Sequence, residues 1–325
     1  MNACDFTVNA ACSTLIRAYI ASMRIVVSVI LSFAFALAAP AAELDQQPVT
    51  PPEYSEIRGV AKYGTPADYE AARNDARFRL SRISYESDGL TVHAYLYAPA
   101  VTPATPQPVI IFNRGSWTWP AFAGEYLPTF HRLGSAGFVV LAPMLRGSGG
   151  AEGRDELGGA DLDDIMNTAA ILVLLPGVDR TRAFMYGESR GAMMTYQAVR
   201  EDYPIRAAAV YGGFTDIAQL TRPGARFEKA AGAIWPDYQE KKNEIDLRRS
   251  ALQWADKLDV PLLIMHGGAD DEVSPSHAIA LAARLQELGS PYELVIRAGA
   301  NHVLTQWRKE RDAHAVEWFR RYMEE

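Results

Sequence analysis

A short apolar run, Phe184-Met185-Tyr186, stops at Gly187-Glu188-Ser189-Arg190-Gly191 and continues into residues that suit a helix. A G-x-S-x-G pentapeptide at such a junction allows a sharp strand-to-helix reversal, with the serine held at the strand tip and small residues letting neighbouring backbones pass close by. The helix beginning at Arg190 would turn its free N–H groups and positive dipole end toward any oxygen above Ser189. Glycine and serine are also common in ordinary turns, so the pentapeptide has to be weighed with the rest of the chain.

The flanking sequence repeats this strand-to-helix rhythm. Residues 80–86 and 90–98 alternate apolar and polar side chains around Ser87-Asp88-Gly89, which predicts an antiparallel hairpin. Continuous apolar runs at 109–112 and 138–141 read as strands buried on both faces, with a helix at 123–136 between them. The alternation goes on through a helix at 161–175, strands at 183–186 and 207–211, and a helix at 190–200. It is completed by strands at 261–265 and 292–296 and helices at 276–288 and 306–322. This predicts an α/β chain with a doubly wound, mostly parallel sheet and antiparallel N-terminal strands. Residues 214–258 break the rhythm and are expected to form a small helical lid over the strand tips, where Arg222, Arg226 and Trp235 could meet a substrate.

Ligands in such sheets bind at the carboxyl ends of strands, and three chemically useful side chains fall there. Ser189 is followed by a loop carrying Asp270, Asp271 and Glu272 after one strand, and by His302 after the last. Acyl transfer by serine needs a base, a carboxylate to orient the base, and donors for the oxyanion. The order serine, acid, histidine is that of an α/β-hydrolase. Any of the three neighbouring carboxylates could be the acid on position alone.

Ser87-Asp88-Gly89, Arg146-Gly147-Ser148-Gly149-Gly150, the elbow, His266-Gly267 with Asp270, and Gly299 ahead of His302 together resemble the catalytic domain of the prolyl oligopeptidase family, over about residues 84–322. The resemblance implies an α/β-hydrolase fold with Ser189 as nucleophile, Asp270 as orienting acid and His302 as general base. It also implies oxyanion donors from the Arg190 N–H and from a group just after the third strand. There the family often has tyrosine or histidine, whereas this chain has Asn113, whose amide can donate. Trp117 is the candidate for the substrate pocket. The family's peptidases usually carry an N-terminal propeller, for which residues before Ser84 leave no room, so peptidase specificity does not carry over.

Other features have simpler readings. His266 ends an apolar strand and is expected to cap it by hydrogen bonding. The Arg146 motif lacks the lysine and hydroxyl of a phosphate loop and reads as a packed turn. His93, His131, His277 and His314 show no metal-ligand spacing, and no metal or organic cofactor is implied. Residues 25–39 form an apolar run behind Met23-Arg24 with Ala-x-Ala patterns after it, which reads as a secretory signal peptide ending within 38–42. Both cysteines, Cys4 and Cys12, precede that point. Residues 43–79 read as a linker with a helix from 67 to 79, and residues 80–325 as the catalytic domain. The net charge of −7 argues against a nucleic-acid partner, and after signal cleavage no membrane association is expected. The expectation is a secreted or periplasmic serine hydrolase acting on a small ester or short peptide. A carboxylesterase without peptidase activity and a catalytically idle binding protein on the same fold are the alternatives.

Overall fold

The computed structural model describes residues 44–116, 124–225 and 227–324. Strand β1 (Asp45–Pro48) leads into 3-10 turns at Tyr54–Glu56 and Val60–Lys62 and then helix α1 (Pro66–Asn74). The hairpin β2 (Phe78–Ser87) and β3 (Leu90–Pro99) is followed by β4 (Gln107–Asn113), α2 (Leu127–Ser135), β5 (Val139–Pro143), α3 (Leu162–Met166) and α4 (Thr168–Leu174). Then come β6 (Val178–Glu188), α5 (Arg190–Arg200), β7 (Ala207–Tyr211), the insert helices α6 (Ile217–Thr221), α7 (Glu228–Ile234) and α8 (Tyr238–Arg249), and finally β8 (Leu262–Gly267), α9 (Ser276–Leu288), β9 (Tyr292–Arg297) and α10 (Arg308–Arg321).

Among the described residues the strands form one nine-stranded sheet in the order β1-β2-β3-β5-β4-β6-β7-β8-β9. Pairing is antiparallel from β1 to β5 and parallel from β5 to β9. This is the α/β-hydrolase arrangement, and it follows from the two-residue side-chain period of strands. In β4, Val109 and Ile111 enter one core while Ile110 and Phe112 enter the other. Likewise Met185 in β6 faces α5, whereas Phe184 and Tyr186 face Phe319 of α10. Both faces must be covered by helices, so the central strands are apolar throughout.

The N-terminal segment differs from the linker expected. Gln46 and Gln47 of β1 pair with Ile83 and Arg82 of β2 and extend the sheet by a strand. Helix α1 starts where Thr65 Oγ1 accepts from the Asp68 N–H at 3.1 Å and the Asp68 carboxylate accepts from the Thr65 N–H at 3.0 Å, with Pro66 in the first turn. It ends at Asn74 rather than 79, because Phe78 and Arg79 pair with Pro99 and Ala98 across the hairpin. The helix expected at 161–175 is divided at Asn167, whose side-chain amide donates to Ser87 Oγ at 3.0 Å. The insert expected at 214–258 is helical, with Phe214, Ile217, Ile234, Trp235 and Tyr238 buried in the same core as α5. No helix among the described residues is long and apolar enough to cross a membrane. The stretch read as a signal peptide lies outside the described residues.

Candidate active site

Ser189 stands between β6 and α5 with φ 51° and ψ −113°, a conformation that glycine adopts most easily. The turn is held by the Ser189 N–H donating to Tyr211 O at 2.8 Å, and by the Ala192 N–H donating to Ser189 O at 3.0 Å. Gly191 makes the approach possible: a Cβ there would lie 1.9 Å from the Asn113 carbonyl oxygen. The backbone after β4 therefore passes directly against the first turn of α5.

His302 reaches Ser189 from the loop that follows β9. Its Nε2 is 2.9 Å from Ser189 Oγ, and its Nδ1 is 2.8 Å from Asp270 Oδ2. The loops carrying these two residues are tied together by the Ala269 N–H donating to Ala300 O at 2.9 Å and the Gly268 N–H donating to Arg297 O at 2.7 Å. Gly267 permits that contact, since a Cβ there would meet Asn301 O at 2.2 Å. The neighbouring carboxylates of Asp271 and Glu272 are exposed, while the Asp270 side chain is fully buried.

Asp270 is held on every side. Its Oδ1 accepts from the N–H groups of Glu272 and Val273, each at 2.9 Å, and its Oδ2 also lies 2.9 Å from His266 Nε2. His266 Nε2 is 2.9 Å from the Val273 carbonyl oxygen as well. A carbonyl only accepts, so Nε2 carries the hydrogen, and His266 holds the acid loop in addition to ending β8. Burial pushes the Asp270 carboxyl up, but the hydrogen bonds from His266 and His302 prevail and hold it well below the usual carboxylate range. Burial pushes the His302 imidazole down. The Asp270 carboxylate on Nδ1, with Glu272 and Glu188 beyond, more than offsets this and raises it above its ordinary value.

The two expected oxyanion residues part company. Arg190 is the first residue of α5, so its N–H has no acceptor within the helix. Its side chain is buried, pairs with Asp155 at 2.5 Å and with Asp161, and donates to Ser116 O at 3.1 Å. Asn113 is corrected: its amide donates to Thr195 Oγ1 at 2.8 Å beneath α5. The close pass of β4 over Gly191 turns this side chain into the helix packing and away from the serine. Arg114 instead clamps the following turn, donating to the carbonyls of Gly115 at 3.0 Å, Ser116 at 3.1 Å and Met144 at 2.9 Å. The Arg146 motif is a packed turn, with Arg146 on the buried Asp164 at 2.7 Å and on Asp88 at 2.8 Å. Trp117 lies outside the described residues, as does Arg226. Arg222 is exposed, and Trp235 is buried with its indole N–H on Glu156 O at 2.7 Å.

Ser189 and His302 open into a cavity of about 360 Å³. Its lining includes the apolar side chains of Leu157, Phe214, Phe227, Val273 and Val303 together with Tyr63, Glu125, Tyr126 and Glu188. The Glu188 carboxylate accepts from the hydroxyls of Tyr63 and Tyr211, each at 2.6 Å. Tyr126 Oη accepts from the Gly115 N–H at 3.2 Å. Lys62, Tyr63 and Glu125 were not legible as site residues, since they occupy short turns without periodicity; the only hint is an aromatic residue close to Gly59 and Gly64. No group of three or more histidine, cysteine or carboxylate side chains suited to a metal occurs among the described residues.

Comparison with known proteins agrees with this architecture. The chain is 28% identical over 247 residues to the uncharacterized peptidase YtmA of Bacillus subtilis, covering 72% of this chain and 94% of that protein. It is 26% identical to the uncharacterized peptidase YuxL of the same organism, covering 67% of this chain but 34% of that protein. Among solved structures, the acylaminoacyl peptidase of Pyrococcus horikoshii superposes with a TM-score of 0.63 at 21% identity, covering 77% of this chain and 42% of that one. A puromycin-hydrolyzing peptidase of Mycobacterium tuberculosis gives 0.64 at 22%, covering 77% and 40%. The chain thus spans nearly all of one relative and well under half of the others. Residues 127–325 match the prolyl oligopeptidase family. The protein is a serine hydrolase with the α/β-hydrolase fold, and it belongs to the prolyl oligopeptidase family.

Proposed function

We propose that the protein cleaves small esters and short peptides through an acyl-enzyme on Ser189. The observation that carries this reading is the run of contacts Ser189 Oγ to His302 Nε2 to Asp270 Oδ2, at 2.9 and 2.8 Å, opening on a cavity. His302 takes the Ser189 proton as the oxygen attacks the carbonyl carbon, and the carbonyl electron pair moves onto oxygen beside the Arg190 N–H. When the tetrahedral adduct collapses, His302 returns the proton to the leaving group. Water then repeats the sequence and frees the acid. Asp270 keeps His302 in the tautomer whose Nε2 is the acceptor.

A cavity of about 360 Å³ suits a small acyl group, at the lower end of the range for ligand pockets. Esters need less leaving-group protonation than amides, so esters are cleaved faster than amides of the same acyl group, and folded proteins poorly. The apolar run at residues 25–39 supports export by a signal peptide; amino-terminal sequencing of the exported protein should find a start within residues 39–43. Labelling by a fluorophosphonate, lost in Ser189→Ala, tests the nucleophile. Absence of labelling together with absence of turnover would support the idle binding protein. Matched ester and amide kinetics test the substrate class, and an amide preference with sharp selectivity for the residue before the cut would sink the ester reading.

A further inference from the structure

The cavity beside Ser189 has an acidic wall that acyl transfer itself does not use. Glu125, in the turn Gly124–Tyr126, is 5% exposed and lines the cavity together with Ser189 and His302. Its carboxyl has no ion-pair partner among the described residues. Lys62 lines the same cavity but is exposed. Glu188, by contrast, has both carboxylate oxygens occupied by tyrosine hydroxyls, so it adds to the negative field without being free to bind. Burial, then the charge of Glu188, pushes the Glu125 carboxyl up to about 8, against the opposing influence of Lys62, Arg114 and the Tyr126 hydroxyl. Without a cation beside it the buried carboxyl is therefore held mostly protonated at neutral pH, and an ammonium bound there would favour the ionised form, its proton leaving to solvent.

The sheet shows which half of a substrate would meet it. Glu125 follows β4, on one side of β6, while His302 follows β9, on the other. His302 must reach the leaving atom to protonate it, so the leaving group departs on the β9 side and the acyl half lies toward β4. Resting on the hydrolase reading above, we infer that Glu125 recognises an ammonium group on the acyl half of the substrate, with Leu157, which follows β5 on that same side of β6, taking the adjoining hydrocarbon. The ammonium is either the α-amino group of an unblocked acyl residue or the side-chain amine of a lysine-like one.

The test compares kcat/KM of the full chain on the 4-nitroanilides of leucine, Nα-acetyl-lysine and Nα-acetyl-leucine, at low ionic strength and neutral pH. At least one of the two charged substrates should exceed Nα-acetyl-leucine by about tenfold or more, as for a desolvated charge-assisted hydrogen bond. Which of the two it is identifies the source of the ammonium. In Glu125→Gln the ratio of charged to neutral substrate should collapse toward one. Should that variant not fold, competitive inhibition of the wild type by leucinamide against N-acetyl-leucinamide gives the same comparison, with leucinamide expected to bind at least about tenfold more tightly if the α-amino group is the source, and n-butylamine against n-butanol serving for the side-chain amine. Equal or better use of the neutral substrate, or a ratio that survives in Glu125→Gln, overturns the inference. If that happens while 4-nitrophenyl acetate is hydrolysed and Ser189 is labelled by a fluorophosphonate, the ammonium site alone fails. If neither hydrolysis nor labelling occurs, the hydrolase reading fails and takes this inference with it.

Discussion

The Tyr63 hydroxyl donates to the Glu188 carboxylate at 2.6 Å across 125 residues of sequence. A turn ahead of the central sheet is thereby joined to the residue immediately before the nucleophile, and both line the same cavity. Replacing Tyr63 by Phe leaves a buried carboxylate one donor short. It should destabilise the fold by about 2 kcal/mol and lower kcat/KM, read by denaturant unfolding and ester hydrolysis. Wild-type values in both would show that the N-terminal turn is only packing.

Ser189 holds a backbone conformation disfavoured by side chains, at a cost of about 1–3 kcal/mol. Ser189→Ala and Ser189→Gly should both abolish turnover. The glycine variant should also melt higher than the alanine variant, because glycine relieves the strain at φ 51°. Equal melting temperatures would mean that the elbow is unstrained.

The raised imidazole of His302 sets the pH response. The base works only when neutral, so kcat/KM should fall on acidification, with the limb shifted upward from that of an unperturbed histidine. Asp270→Asn removes the carboxylate that raises it, which should move this limb to lower pH and reduce kcat on the order of 10⁴-fold. The same loss from Asp271→Asn, with Asp270→Asn near wild type, would shift the role by one residue.

Gly191→Ala forces a methyl group to within 1.9 Å of the Asn113 carbonyl. Backbone has to give way there, so the variant should lose on the order of 3 kcal/mol or fail to fold. A soluble variant with an unchanged unfolding midpoint would show that β4 and α5 are less tightly apposed than described.

The sequence by itself determined the α/β rhythm, the elbow and the order of Ser189, Asp270 and His302, because each is written in local pattern: apolar runs of strand length, glycines at the turns, and polar groups just beyond strand ends. Parallel strands then bring those ends to one edge, whatever the intervening sequence. Only the tertiary structure decided the remainder. Asn113 carries a capable amide, yet the close pass of β4 over Gly191 commits it to Thr195. Asp270 is chosen over Asp271 and Glu272 by the contacts that His302, His266 and two backbone N–H groups make with it. Tyr63 and Glu125 enter the cavity through the way the N-terminal segment and the turn before α2 fold against β6. Those contacts join residues far apart in the chain, and short turns carry no periodicity from which their packing could be read.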